Sequence, residues 1–379
     1  MAEDRTQFDS AASLRHLWRG LNLPESALAC AQLPCADARV PSSFKIGILA
    51  QSSIALTALL AALIHAVRND TPVPRISVAG NHALAEFKSE RLYTIDGAAA
   101  VSSWGPIGGL HRAADGHVRV HDGFPAHRDG TKALLGCNDA AGRDEVGAKI
   151  ARWKALALEA ASCDAGLVVA ALRSYAQWDV LPQAKAVHDF PVQIRKVTDG
   201  SAGLPGRVAA RGADKCLRGL RVLEMSRVIA APVAGRTLAA HGADVLWVTS
   251  ASLPDQPGLD RDLGRGKRTI RLDIDHDEEA KAKLLDLAGA ADVFLQGFRP
   301  GSLAARGFSA QTLAAARRPA AGIICANLSA YGPSGPWRLR RGFDSLVQTC
   351  SGMNVSEAEH YGAGEAARPM PLAVDTAVS

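Results

Sequence analysis

The chain has 379 residues, enough for two or three domains of ordinary size. Hydrophobic residues make up 47% of it and charged residues 21%, which excludes wholesale disorder. With 43 Lys and Arg against 38 Asp and Glu, the net charge of +5 is too small an excess to indicate a nucleic-acid-binding protein. It does suit an anionic small molecule as ligand.

The N-terminal residues and the cysteines favour a protein of a reducing compartment over a secreted one. The start, MAEDRTQFDS, is polar and acidic and lacks the apolar region of a secretory signal. The seven cysteines are odd in number and include no C-x-x-C pair. We therefore predict neither a disulfide scaffold nor a zinc site. We therefore expect a cytoplasmic protein with reduced thiols and no metal.

The front half predicts a long helix followed by a smaller α+β domain. Ile46–Val67 is the most apolar stretch, and we interpret it as a buried core helix with no membrane contact, because polar residues interrupt it. These are Gln51, Ser52, Ser53, Thr57 and His65. Asp115-Gly116 predicts a hairpin turn within Trp104–Val120. The remaining predictions are an extended run at Arg75–Ala79 and helices at His82–Leu92, Asp144–Ala161 and Ala165–Gln177.

After a polar, glycine-rich linker at residues 198–217, the back half alternates strands with helices. Pro232 is placed to open a helix that Gly242 ends, and Ser309 to cap a later one. The predicted strands are Leu220–Met225, Asp244–Thr249, Arg268–Ile274, Asp292–Gln296 and Gly322–Leu328, with an amphipathic helix at Asp277–Ala288. This order predicts an α/β fold class, with a Rossmann-like, mostly parallel sheet flanked by helices.

Three common site motifs are missing. The turn after the first back-half strand lacks G-x-G-x-x-G, which argues against NAD, and neither a P-loop nor a G-x-S-x-G elbow occurs. His117, His121 and His127 have the spacing of a polar face rather than of a metal shell. The basic run Arg265–Arg268 fits either a solvated edge or a phosphate clamp.

Two later features are candidates for a site. The loop in Ala326–Trp337 follows a strand directly and is rich in Gly and Pro, at the end where α/β sheets place ligand crevices. Asp375 ends the apolar run that begins at Pro371, and it reads either as a helix N-cap or as a carboxylate nucleophile.

From Leu220 to Ser379 the sequence resembles the N-terminal portion of the family III CoA-transferases, the carnitine-dehydratase and bile-acid-inducible type. Six blocks carry the resemblance in order: VLEMSRVIAAPVAGRTLAAHGADVLWV, RGKRTIRLDI, DVFLQGFRPGSLAARGF, LSAYGPSGPW, RRGFDSLVQTCSGM and PLAVD. The resemblance implies that Asp375 is the catalytic carboxylate. It also implies CoA contacts at seven positions: Val228, Ile229, Ala230, Lys267, Arg268, Phe298 and Arg341.

The sequence departs from the family's pattern at three places. Gly297 stands where Asn usually precedes the aromatic residue, and Thr249 stands where the second strand usually ends in an acidic residue. An Arg common after the Pro-Gly turn is shifted, with Ala305 followed by Arg306.

The front half is similar to the family's segment just after the catalytic Asp, followed by its small second domain. At the position that matches the catalytic Asp it has Ser43, so this copy should be inactive. The expected domains are a partial, degenerate copy at 1–105, a small α+β domain at 106–197, and a CoA-binding domain at 218–379 that stops soon after the catalytic Asp. Either the second copy is truncated there, or the front half supplies the missing helix in a permuted arrangement.

The resemblance implies a CoA-transferase that moves CoA from an acyl-CoA to a carboxylic acid through an aspartyl-CoA thioester. CoA and acyl-CoA would be substrates, with no permanently bound cofactor, and the enzyme would be an interlocked homodimer. One alternative is an α-methylacyl-CoA racemase of the same fold, which would need His where Phe343 stands. The other is a catalytically inactive subunit for CoA binding or assembly.

Overall fold

The computed structural model falls into two compact units. It describes residues 8–35, 40–99, 101–199, 205–317, 322–362, 364 and 366–368. Apart from the residues outside these ranges, the first unit takes in Met1–Arg39, Ile46–Val101 and Phe190–Leu328. The second takes in Val40–Lys45, Ser102–Asp189 and Ser329–Ser379.

Short helices and strands follow one another along the chain. Those before the small domain are α1 (Ser10–Gly20), β1 (Ala31–Gln32), α2 (Ile46–Asn69), β2 (Ile76–Ser77), α3 (Gly80–Glu86), α4 (Ser89–Leu92), β3 (Thr94–Ile95) and β4 (Ala98–Ala99), with a 3₁₀ turn at Glu25–Cys30. Next come β5 (Gly109–Ala113), β6 (Gly116–Val120), α5 (Pro125–Leu134), α6 (Arg143–Ile150), α7 (Ala155–Asp164), β7 (Val169–Ala171), α8 (Tyr175–Asp179) and α9 (Pro182–Ala186). The back half has β8 (Arg221–Met225), α10 (Ala230–Ala240), β9 (Asp244–Thr249), α11 (Pro257–Leu263), β10 (Arg268–Arg271), α12 (Glu278–Ala290), β11 (Val293–Gln296), a 3₁₀ turn at Ala304–Arg306, α13 (Ala310–Ala316), β12 (Ile324–Asn327), α14 (Asp344–Cys350) and α15 (Met353–Tyr361).

The first unit is built on a five-stranded parallel sheet with the order β10-β9-β8-β11-β12. Each strand is a short apolar run, and β8 and β11 are buried on both faces because helices cover the sheet on both sides. The α/β prediction is confirmed. Two helices of this unit have side-chain N-caps. Asp277 accepts the N–H groups of Glu279 and Ala280 at the start of α12, and Ser309 accepts the N–H of Thr312 at the start of α13.

Helix α2 joins the front half to this sheet. Ala61 and Ile64 pack against the core that includes Val222 and Val293 on one sheet face. Near the end of the helix, the buried Arg68 donates hydrogen bonds to three carbonyls of the stretch predicted as a linker, those of Ala210, Lys215 and Cys216, and to the carbonyl of Arg218 just after it. The end of the predicted linker is therefore tied to α2, and Ile46–Val101 shares one unit with Phe190–Leu328.

These units do not follow the predicted domain boundaries. Most of the predicted 1–105 domain lies with Phe190–Leu328 in the first unit, while Val40–Lys45, Ser102–Asp189 and the described residues after 328 form the second. The physical reason is that the apolar face of α2 has to be buried, and it packs against the sheet.

One helix among the described residues, Ile46–Asn69, is long and apolar enough to cross a membrane by length and composition. Ten of its residues are buried, and one side packs into cores that contain Leu14, Trp18 and Leu59. This packing is that of a core helix, as the polar residues along it indicated.

The second unit contains the antiparallel sheet β5-β6-β7. The predicted hairpin is confirmed, with Ala114 and Asp115 as its turn residues, and the Asp115 carboxylate accepts the N–H of Ala155 at 2.7 Å. Three helix predictions were wrong, one of them in the first unit, where His82–Leu92 is broken at Phe87 and Lys88 between α3 and α4. Asp144–Ala161 is broken between α6 and α7, and Ala165–Gln177 contains strand β7, because Gly166 takes a left-handed φ of 68° and the apolar run after it adds to the sheet.

Candidate functional site

The parallel sheet has its topological switch point between β8 and β11. From β8 the chain proceeds to β9 and β10 on one side, whereas β11 and β12 lie on the other. Open α/β sheets bind ligands in the crevice at the carboxyl ends of the strands at such a point. Here that crevice is bordered by the loop Ser226–Ile229, the N-terminus of α10, and the turn at Gly297 and Phe298.

The two loops touch each other. The N–H of Gly297 donates to the carbonyl of Met225 at 3.1 Å, and a Cβ built on Gly297 would lie 3.1 Å from the Cβ of Ala231. The Asn usual in the family at this position would crowd α10. Four predicted contact residues, Val228, Ile229, Ala230 and Phe298, are thus brought to one crevice.

Val228 is held in an unfavourable conformation. Its φ is 69°, a left-handed value that β-branched residues rarely adopt. The next residue, Ile229, provides the N-cap position of α10 without a side-chain cap, so the first N–H groups of the helix are left to other partners. Helix N-termini with such N–H groups favour anions.

Lys267 and Arg268 do not join this crevice. They come at the start of β10, level with Val245 and Leu246, near the amino ends of the strands. The guanidinium of Arg268 is exposed and binds the carboxylate of Asp244 with contacts of 2.7 and 3.0 Å. The phosphate clamp suggested by the basic run is therefore not assembled at the switch point, because the run precedes its strand instead of following it.

The ammonium group of Lys267 is turned into the protein. Its Nζ lies 2.8 Å from Oε1 of Glu224, and both side chains have no exposed surface. Glu224 was missed by the sequence reasoning, although an acidic residue inside the apolar run of β8 is a detectable signal. Burial raises the pKa of Glu224 and lowers that of Lys267, and their mutual attraction opposes both shifts.

This buried pair gives a prediction at Gly235 of α10. A Cβ there would lie 1.8 Å from Oε2 of Glu224. Gly→Ala inside a helix normally stabilises by about 0.5–1 kcal/mol. We expect Gly235→Ala to destabilise by about 2 kcal/mol instead, because the carboxylate has no space to move. Denaturant unfolding measures the difference.

The control is Gly147→Ala in α6, where the new Cβ would make an ordinary 3.5 Å contact with His111. That variant should be as stable as the parent or slightly more so. Equal stability of the Gly235→Ala and Gly147→Ala variants would contradict the packing described for Glu224.

Asp375 lies outside the residues that the structure describes. We expect Asp375 near the loop that holds Tyr331–Gly335; this loop belongs to the second unit and is fixed there by the fully buried Gln183. The Gln183 amide donates to the carbonyls of Tyr331 and Ser334 at 2.7 and 3.0 Å and accepts the N–H of Trp337 at 2.7 Å. The Gln183 side chain thus supplies hydrogen bonds to the backbone of a Gly- and Pro-rich loop that forms no helix or strand.

The remaining predicted positions also lie in the second unit. Arg341 is exposed, and its guanidinium would lie 3.7 Å from a Cβ built on Gly166. Ser43, at the position of the catalytic Asp in the front copy, donates from its N–H and hydroxyl to the Glu357 carboxylate. Ser43 therefore has a structural partner.

The histidines were predicted to form a polar face, and for two of them this was wrong. His121 and His127 are buried, and His121 stacks on Phe343 with ring centroids 3.8 Å apart. Trp104 and Phe124 complete this aromatic cluster. Within the described ranges, no group of three or more His, Cys, Asp or Glu side chains is placed to hold a metal.

The burial of His121 has a consequence for acid stability. Burial, with smaller contributions from His127 and Arg119, lowers the pKa of His121 from 6.5 to about 3. Between these two pKa values His121 is protonated in the unfolded chain but stays neutral in the folded chain. The free energy of unfolding therefore decreases as the pH falls. His121→Phe keeps a ring against Phe343 and removes this loss, which is about 2.5 kcal/mol between pH 7 and 4.5.

Urea unfolding at pH 7 and at pH 4.5 measures this difference. The exposed His188 provides the control, since His188→Phe should lose as much stability on acidification as the parent does. An unchanged acid loss in His121→Phe would show that His121 is not held neutral in the fold.

Known proteins are similar to parts of this chain. A family model described as CoA-transferase family III matches residues 217–377. An acyl-CoA transferase of Gibberella moniliformis is 31% identical over 228 residues, which are 59% of this chain and 40% of that protein. A succinyl-CoA:glutarate CoA-transferase of Mus musculus is 28% identical over 204 residues, 49% of this chain and 45% of that protein.

A crystal structure from Mycobacterium tuberculosis aligns with 31% sequence identity over 41% of this chain and 42% of its own, with a TM-score of 0.33. The chain spans less than half the length of the curated relatives named above. Residues 217–377 thus match CoA-transferase family III, and the chain is similar to proteins named as CoA-transferases.

Proposed function

We propose that this chain transfers CoA from an acyl-CoA to a carboxylic acid. The observation that carries the proposal is the crevice at the switch point, where the loop Ser226–Ile229, the N-terminus of α10 and the turn at Phe298 meet. Backbone N–H groups at a helix N-terminus suit the phosphates of CoA. The half-buried Phe298, packed beside the core of the sheet, offers an apolar surface next to them.

In the proposed reaction the Asp375 carboxylate attacks the thioester carbonyl and expels CoA as a thiolate, leaving a mixed anhydride. The thiolate attacks the aspartyl carbonyl of this anhydride, which releases the donor acid and forms an aspartyl-CoA thioester. The acceptor carboxylate then displaces the thiolate to give a second anhydride. Attack of the thiolate on the acceptor's acyl carbonyl yields the new acyl-CoA and restores Asp375. A carboxylate suits this exchange because it can act both as the nucleophile and as the leaving group.

The position of Phe343 favours transfer over racemisation. Racemisation needs a proton-transfer group on each face of the α-carbon. A phenyl ring moves no proton, and here it is stacked on His121. The runner-up is an inactive CoA-binding subunit, in keeping with the pairing of Ser43 with Glu357.

The test is a transfer assay with the purified chain. Succinyl-CoA is offered with glutarate or malate, the substrates in the names of two relatives, and new acyl-CoA is detected by mass spectrometry. We expect a new acyl-CoA to accumulate with release of succinate. CoA binding without exchange across a wider panel of donors and acids would support the inactive subunit. Rapid α-deuterium exchange of a 2-methylacyl-CoA in D₂O would support the racemase.

We also propose that the active form is a homodimer. The mass in solution, measured by light scattering during gel filtration, should be twice that of the chain. A monomer with full transfer activity would contradict this proposal.

A further inference from the structure

The Lys267–Glu224 pair is the most deeply buried ion pair in the part of the chain that the structure describes. Both side chains are fully excluded from solvent, and Nζ lies 2.8 Å from Oε1. Taking two charges out of water costs several kcal/mol per ion, and a buried pair is often no more stabilising than apolar residues of the same volume. The pair therefore matters less for its own energy than for the position of the groups that it contacts.

The hydrogen bonds of the pair lie on both sides of the loop Ser226–Ile229. The hydroxyl of Ser226, at the start of this loop, donates to Oε1 of Glu224 at 2.5 Å. Beyond the end of the loop, the Lys267 ammonium donates to the carbonyl of Pro232 in the first turn of α10 at 2.9 Å. The pair therefore bridges both sides of the loop.

Trp247 of β9 adds a third attachment. Its indole N–H donates to the carbonyl of Ser226 at 2.9 Å, and the Lys267 ammonium lies 4.5 Å from the centre of its ring. That distance is in the range of cation–π attraction, which is stronger in a dry site. The loop that follows contains Val228 in its strained conformation, and such a conformation persists only where the surroundings over-determine it.

We propose that Lys267 is a positioning residue: paired with Glu224, it holds the loop Ser226–Ile229 and the first turn of α10 in the shape that receives the ligand. It is not a phosphate contact. The CoA part of this inference rests on the proposed function, whereas the effect on the loop is a property of the ligand-free protein.

The first experiment measures hydrogen exchange of the ligand-free protein, followed in a peptide that covers residues 225–231. We expect Lys267→Met to raise the exchange rate there by about tenfold or more, since hydrogen bonds to a charged group are lost. A peptide from β11 should be unchanged. Lys283→Met, an exposed lysine on α12, is the matched control and should leave both peptides unchanged.

A buried, unpaired carboxylate could unfold this variant, so a second variant removes both charges. Glu224→Leu with Lys267→Met leaves no uncompensated charge and should recover most of the lost stability. It should still show fast exchange at 225–231, because the bridge to Pro232 and Ser226 is missing. Protection of the loop equal to that of the parent in the double variant would overturn the positioning role.

The second experiment separates positioning from phosphate contact by calorimetry of CoA binding at low and high salt. Positioning predicts weaker binding in Lys267→Met, by about tenfold, with the same salt dependence as the parent, because a buried ammonium is little screened. A shallower salt dependence with an unchanged loop would mean that Lys267 meets phosphate directly. If the parent binds no CoA, the proposed function fails, and the exchange experiment still decides the role of Lys267.

Discussion

Asp375→Ala should lower the rate of CoA transfer by about three orders of magnitude or more, the usual cost of removing a covalent nucleophile. Without this carboxylate no anhydride forms, so both halves of the exchange stop. CoA binding should stay nearly intact, because the crevice is formed by the switch-point loops. Initial rates with saturating acyl-CoA and acceptor acid, together with calorimetry of CoA binding, measure the two effects.

Asp375→Asn should be equally inactive, since an amide keeps the shape of the side chain but is a poor nucleophile. Asp164→Asn, at an exposed carboxylate that ends α7, is the matched control and should transfer CoA at the parent rate. Retention of more than a few per cent of the parent rate in Asp375→Ala would remove this residue from the nucleophile's role.

Arg68→Met should destabilise the first unit by about 3 kcal/mol or more, because each buried acceptor left unsatisfied costs about 1–3 kcal/mol. The guanidinium is 4% exposed and donates to the carbonyls of Ala210, Lys215, Cys216 and Arg218. Met fills a similar volume but satisfies none of these acceptors, and unsatisfied buried carbonyls are costly. The change should also detach α2 from the packed stretch before β8. Denaturant unfolding and hydrogen exchange of residues 205–217 measure both effects.

Arg211→Met is the control for the loss of an arginine in the same region. Arg211 pairs with Asp70 at the surface, with most of both side chains exposed, so its loss should cost less than about 1 kcal/mol. If Arg68→Met cost no more than Arg211→Met, the front and back halves would not depend on each other for stability.

The sheet was predictable because its strands are apolar runs that end at turn residues. Leu220–Met225 and Asp244–Thr249 were placed within one residue, since nothing in either run competes with strand formation. Val169–Ala171 was not, because three apolar residues after a helix fit helix and strand equally well until β6 supplies a partner. Predicted strand Arg268–Ile274 also ended early, at Arg271.

The site was predictable only where residues follow their strand directly. Val228 and Phe298 come just after β8 and β11, so the strand order alone brings them together. Lys267 comes just before its strand, and a sequence shows neither that its side chain turns inward nor that Glu224 receives it. The burial of His121 likewise depends on Phe343, more than two hundred residues away along the chain.

Trapping with hydroxylamine tests the central proposal most directly. Hydroxylamine cleaves an aspartyl-CoA thioester to a hydroxamate and free CoA, and it attacks acyl anhydrides in the same way. When it is added during turnover, peptide mapping by mass spectrometry should find a hydroxamate at Asp375. The modification should require acyl-CoA and be missing in Asp375→Ala. Transfer that continues unaffected by hydroxylamine with Asp375 unmodified, or a hydroxamate on a different carboxylate, would contradict the proposed mechanism.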